Sequence, residues 1–186
     1  MANQISDLEE LRRLLSTPEP PELGPGPRPG VHLEAALEHT VNRVLGRSGA
    51  LSSNRRLAHA LLLLWHDYLE AAHTIAQRIE TPDGAFVHGI MHRREPDYGN
   101  AKYWFHRVGD HPSFEEIAGR VAALPQISQC RHVARRLVQG ARWDAFAMVD
   151  ACEAAAGGAS SEPQVTFLRE VQRVETEVLL ARFVSL

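Results

Sequence analysis

At 186 residues, 44% hydrophobic and 23% charged, the chain is long enough to fill one core and has the composition of an ordinary globular domain. A net charge of −3 argues against nucleic acid as the main partner, and a longest apolar run of six residues, Ala60 to Trp65, leaves nothing to span a membrane. Cys130 and Cys152 form neither a C-x-x-C pair nor a disulfide framework, and the N-terminus lacks the basic-then-apolar pattern of a signal peptide, so a cytoplasmic location is expected.

In chain order, Ser6-Asp7-Leu8-Glu9 reads as a capping box opening a short helix to about Leu15, with Ile5, Leu8, Leu11 and Leu15 on its apolar face. Ser16 to Gly30 holds six prolines and three glycines, which suits neither a helix nor a central strand. The expectation is therefore a helical arm on a linker (1–30), detachable from an all-α domain (31–186) and available to dock on a second subunit of a homodimer.

From Val31 onward the pattern is helical. One helix runs from His32 to Leu45 and stops at Gly46. A long helix runs from Ser52 or Ser53 to about Ile79, and the tetrad Thr81-Pro82-Asp83-Gly84 closes it and opens the next. Short helices follow at about 85–94 and 100–108, ended by Pro96 and Gly109. A Ser113-to-Glu116 capping box starts a helix to Leu124, before Pro125. Ile127 to Ala156 reads as one helix or as two broken at Gly140, and a last helix runs from about Ser161 to Val184. With no hairpin signal between alternating segments, the expected fold is all-α, a single bundle-like domain of about five to seven helices.

The densest chemistry lies in His88 to Pro112. This stretch holds four of the ten histidines, two of the three tyrosines and the only lysine, Lys102, against 19 arginines. Arginine and lysine are near-equivalent on a solvated surface and differ at a site, so a lone lysine in such a segment points to a specific role, in a buried ion pair or as a ligand contact. On the long helix, His59, His66, Glu70, His73 and Gln77 fall on one side, opposite an apolar stripe starting at Leu57. Glu70-x-x-His73 is the element that di-iron carboxylate bundles use, but the chain lacks the second such element they require.

His88 and His92 form an H-x-x-x-H pair without the general-base glutamate of a zinc protease. A tight reversal at Thr81 to Gly84 would lay them against His73 and Gln77, so that His73, His88 and His92 converge. Three imidazoles suffice for a divalent metal with an open position. Arg93-Arg94-Glu95-Pro96-Asp97-Tyr98-Gly99-Asn100 adds a loop in which Asp97 or Asn100 can cap the next helix. Of Tyr103, Trp104 and Phe105, one can floor a pocket.

These residues carry a resemblance. H-x-x-x-H-R-R-E, then D-Y-x-N-x-K-Y-W-F, then R-x-x-x-H-P, resembles a family of bacterial and filamentous-fungal proteins with no assigned activity. His73, Gln77 and the Thr81-x-x-Gly84 turn belong to the same pattern, which covers roughly residues 60–115. Glu95-Pro96-Asp97 departs from the Glu-Gly-Asp of the fungal members. The resemblance implies a site map and no reaction.

Two functional readings follow. In the first, the protein is an enzyme acting on a small polar or anionic molecule, with His73, His88 or His92 as general base and Lys102 and Arg93 stabilising developing negative charge. Gln77, Glu95, Asp97, Asn100 and Tyr103 would complete the ligand contacts. In the second, the same cluster is a buried hydrogen-bond network in a non-catalytic binding or assembly module.

Overall fold

A computed structural model describes residues 2–46 and 52–185. About 70% of the chain is helical. Helices α1 (Ala2–Arg13), α2 (Glu34–Leu45), α3 (Ser52–Trp65), α4 (Leu69–Ala76), α5 (Pro82–Arg94), α6 (Tyr98–Val108) and α7 (Ser113–Ala122) come first. A 3-10 turn (Pro125–Ser128), α8 (Arg131–Leu137), strands β1 (Val138–Gln139) and β2 (Arg142–Trp143), α9 (Ala145–Ala156) and α10 (Glu162–Ser185) complete the order. No helix among the described residues is long and apolar enough to cross a membrane.

The all-α expectation holds, but the helices number ten among the described residues rather than five to seven. One segment that read as continuous is broken, and a second, read as one helix or two, is divided. The expected helix from Ser52 to Ile79 stops at Trp65 and restarts at Leu69, because Asp67 takes a left-handed backbone (φ 69°). Its buried carboxylate accepts from Arg28 Nη1 at 3.0 Å and Arg94 Nη2 at 2.7 Å, so the kink is held by two cations from distant parts of the chain. The segment from Ile127 to Ala156 breaks at Gly140, as one alternative allowed, but a hairpin fills the break. Gly140 and Ala141 both take positive φ (55° and 63°), the turn that suits a two-residue hairpin. Strands were not expected there, since two residues each are too few to show alternation.

The core is built around α3 and α10, which pack on each other and bury residues on most of their circumference, Leu57 to Trp65 on one and Phe167 to Val184 on the other. Inside it, the Arg93 guanidinium of α5 forms a two-pronged pair with Glu175 of α10 (3.1 and 2.5 Å), and both side chains are fully buried.

The N-terminal segment, expected as a detachable arm, lies on this core. Helix α1 starts at Ala2, before Ser6, and packs on α2 and α10. Leu11 is fully buried, and Leu15 and Leu23 are nearly so; the side chain of Ile5 lies outside the described ones. The proline-rich stretch cannot satisfy its own carbonyls, and the core does it instead. Gln172 donates to Pro21 O and Glu22 O, Arg169 to Pro21 O, and Arg94 to Gly24 O.

Candidate functional site

The turn between α4 and α5 folds as its residues dictate. The Thr81 hydroxyl accepts from Gly84 N at 3.1 Å, and Pro82 occupies the first turn, where no backbone donor is needed. A β-carbon on Gly84 would meet the Ile79 carbonyl oxygen at 2.0 Å, so only glycine allows so close a reversal. One helix on, α5 and α6 pack closely at Gly89, where a β-carbon would touch the Phe105 ring at 3.1 Å. Asp97 caps α6 by accepting from Asn100 N at 3.2 Å.

This hairpin of short helices brings the three expected histidines together. The His73 ring lies 4.8 Å from His88 and 5.4 Å from His92, and His88 and His92 stack 4.8 Å apart. One nitrogen from each falls within 4.8 Å of the others. Trp104 of α6 covers the cluster, its ring stacked on His88 at 3.9 Å. His88 and His92 are buried, while His73 is half-exposed and marks the side open to solvent.

The polar surroundings are uneven. His92 Nδ1 meets Glu95 at 3.2 Å, with Asp97 further off at 4.0 Å, and Asn100 Nδ2 lies 3.1 Å from His92 Nε2. One tautomer satisfies the nearest contacts: a proton on Nδ1 shared with Glu95 and a lone pair on Nε2 facing the Asn100 amide. His88 has no such support. Neither ring nitrogen has a hydrogen-bond partner, and neither is reached by solvent. Burial, then the neighbouring His92 and His73, push its pKa down to about 4, and burial also lowers that of His92. Both imidazoles are neutral at neutral pH; the His88 lone pair is free, and that of His92 Nε2 faces the Asn100 amide.

Four expected site residues do not join the cluster. Lys102 is on the opposite side of α6 from Asn100 and Trp104, two residues away in a helix that repeats every 3.6. Its ammonium is partly exposed and pairs with Asp150 at 2.7 Å and Glu153 at 3.7 Å, so it ties α6 to α9 and is neither buried nor beside the histidines. Arg93 follows His92 in sequence but points into the core, where Glu175 neutralises it. Gln77 is exposed at the C-terminal end of α4, with no side-chain bond to the cluster. Tyr103 is 55% exposed and touches the site only through Trp104, edge-on at 5.4 Å.

His66, placed with His73 on one side of an unbroken helix, is separated from it by the kink at Asp67. It is buried, its Nδ1 accepting from His32 N at 3.1 Å and its Nε2 donating to Leu14 O at 2.9 Å. His111, from the R-x-x-x-H-P element, is likewise committed to the fold. Its Nε2 meets Asp83 at 2.9 Å and its Nδ1 accepts from Ser113 N at 3.2 Å, so an imidazole caps α7 where a serine box was expected. Asp83 also receives Arg182 at 2.6 Å, which fastens the start of α5 to α10.

The main clefts among the described residues are lined by other residues than the three histidines. A cleft of about 280 Å³ lies against Trp104, with Ile79, Pro82 and Ala85 in its wall. Trp104 lines this cleft beside the histidines, while Phe105 lines a separate one of about 300 Å³ with Phe114 and Trp143. Compared with protein families, curated proteins and solved structures, the chain matches none.

Proposed function

We propose that His73, His88 and His92 hold a divalent transition-metal ion, and that this centre binds and activates a small polar molecule. The observation that carries the reading is the pair of buried, unpartnered nitrogens on His88, beside two further imidazoles. A buried polar atom without a partner costs about 1–3 kcal/mol, and a metal ion is a partner that accepts one lone pair from each of three converging imidazoles. A closed hydrogen-bond network, the competing reading, would have satisfied His88.

The donor set fits the group. Tetrahedral metal–nitrogen bonds of about 2.0–2.1 Å place ligand nitrogens roughly 3.4 Å apart. The present spread of up to 4.8 Å closes by rotation of the rings, at the cost of the His88–His92 stack. Three neutral imidazoles without a thiolate favour zinc, copper, nickel or cobalt over magnesium or calcium. Three protein ligands also leave a fourth position free, the arrangement that catalytic sites keep.

When bound, such an ion polarises an oxygen ligand and brings the pKa of a bound water to about 7. The chain's own residues do the rest. Glu95 holds the Nδ1 proton of His92, the outer support that metal-binding imidazoles need, and the Asn100 amide gives up Nε2 to the ion. The Glu95 and Asp97 carboxylates stand exposed at the rim, where they can take up a proton released from the site. Arg93 and Lys102 take no part, being neutralised elsewhere.

Titration of the chelator-stripped protein with Co(II) tests the reading. We expect one equivalent to bind with the absorption of a tetrahedral nitrogen site, and His88→Ala, His73→Ala or His92→Ala to abolish it. A wild-type protein that takes up no more cobalt than His88→Ala refutes the centre.

A further inference from the structure

We infer that the cleft beside Trp104 is the recognition subsite of this centre and accepts a ligand that carries a carboxylate; the inference rests on the three-histidine reading. Trp104 is the shared wall. Its ring stacks on His88 at 3.9 Å and also lines the cleft of about 280 Å³, so a molecule that reaches from the cleft to the histidines passes along the edge of this indole. The volume is close to the lower end of small-molecule sites.

The polar part of the cleft is Arg107. Its guanidinium carbon stands 5.4 Å from the Trp104 ring and 5.9 Å from the Tyr103 ring, within cation–π reach of both. Among the described residues no carboxylate pairs with it, so its charge is not neutralised within the fold as those of Arg93 and Arg94 are. A guanidinium oriented by ring stacking keeps its planar edge free for a two-pronged carboxylate contact. Glu80 also lines the cleft. Its charge repels a phosphate dianion more strongly than a monoanion, which favours a carboxylate as the group held by Arg107. Ile79, Pro82 and Ala85 give the connecting carbon chain an apolar wall. The ligand class is therefore a carboxylic acid whose other end offers an oxygen group to the metal, the two joined by a short aliphatic or planar spacer.

Two hydroxamates of equal chain length, one ending in a carboxylate and one in a methyl group, test this on the zinc-loaded protein. The hydroxamate binds the metal, and only the tail differs. At the chain length that fits, the carboxylate-tailed compound should bind about three- to tenfold tighter. That preference should vanish in Arg107→Gln, while affinity for the methyl-tailed compound stays unchanged. Equal affinities at every chain length, or a preference that survives Arg107→Gln, overturn the subsite and leave the metal centre standing. Zinc uptake without binding of either hydroxamate also overturns it, because no coordination position would then open toward the cleft. A protein that takes up no zinc through His88 brings down the centre and the subsite together.

Discussion

Replacing Glu175 by glutamine should destabilise the protein severely, although the change removes one atom's charge and almost no volume. The carboxylate and the Arg93 guanidinium are both fully buried and joined by two hydrogen bonds, and Arg93 Nε has no partner to compensate. Breaking one side of such a pair typically costs about 3–5 kcal/mol, because the remaining charge stays buried without a counter-ion. For a chain of this length 1 kcal/mol moves the melting temperature by about 2–4 °C, so Glu175→Gln should melt about 6–20 °C lower. The double variant Arg93→Met with Glu175→Leu removes both charges and should recover most of the loss, since an apolar replacement of a buried pair is often neutral or better. Urea unfolding of the wild type, Arg93→Met, Glu175→Leu and the double gives the coupling directly. If Glu175→Gln lies within about 1 kcal/mol of the wild type, the pair is solvated in solution and the account of Arg93 as a core clamp is wrong.

Two further outcomes follow from the same structure. Burial holds the His66 pKa down to about 4 in the folded chain against about 6.5 when unfolded, so between those values the unfolded state binds the extra proton. The full stability from this group is present above about pH 6.5 and declines by up to about 3 kcal/mol as the pH falls toward 4. His66→Gln keeps an acceptor for His32 N and a donor for Leu14 O without titrating, so urea midpoints from pH 7 to pH 4.5 should fall less steeply; parallel slopes for the two proteins would dismiss the assignment. Deleting residues 1–30 should unfold the chain or lower its melting temperature by at least about 10 °C, since Leu11, Leu15 and Leu23 each contribute roughly 1.5–3 kcal/mol of burial and their loss uncovers α10. A truncated chain that melts with the full-length protein in calorimetry would mean that the N-terminal segment does not pack on its own core in solution.

The histidine cluster was legible because it depends on local rules alone. H-x-x-x-H places two rings one turn apart, and Thr81-Pro82-Asp83-Gly84 fixes where the chain reverses, so His73 had to meet them. Features that depend on contacts distant in sequence were not legible. The apolar period from Leu57 to Ile79 runs on without interruption past Asp67, and the kink exists because Arg28 and Arg94, 39 and 27 residues away, converge on that carboxylate. Residues 16–30 read as a linker from their prolines, yet such a stretch has free carbonyls, and Gln172, Arg169 and Arg94 on distant helices supply the donors.

The misplacement of Lys102 and Arg93 has a different cause. Rarity in the chain singled out the lysine, and adjacency to His92 singled out the arginine, but neither property says which way a side chain points. Helical phase does. Asn100 and Trp104, four apart on α6, share the face toward the histidines, and Lys102 midway between them cannot; Arg93, one residue after His92, is turned about 100° away and into Glu175. The same phase, continued along α6, puts Arg107 three residues after Trp104 and on its side of the helix. The cation proposed for this site is therefore chosen by its interval from Trp104, a condition that Arg107 meets and the single lysine does not.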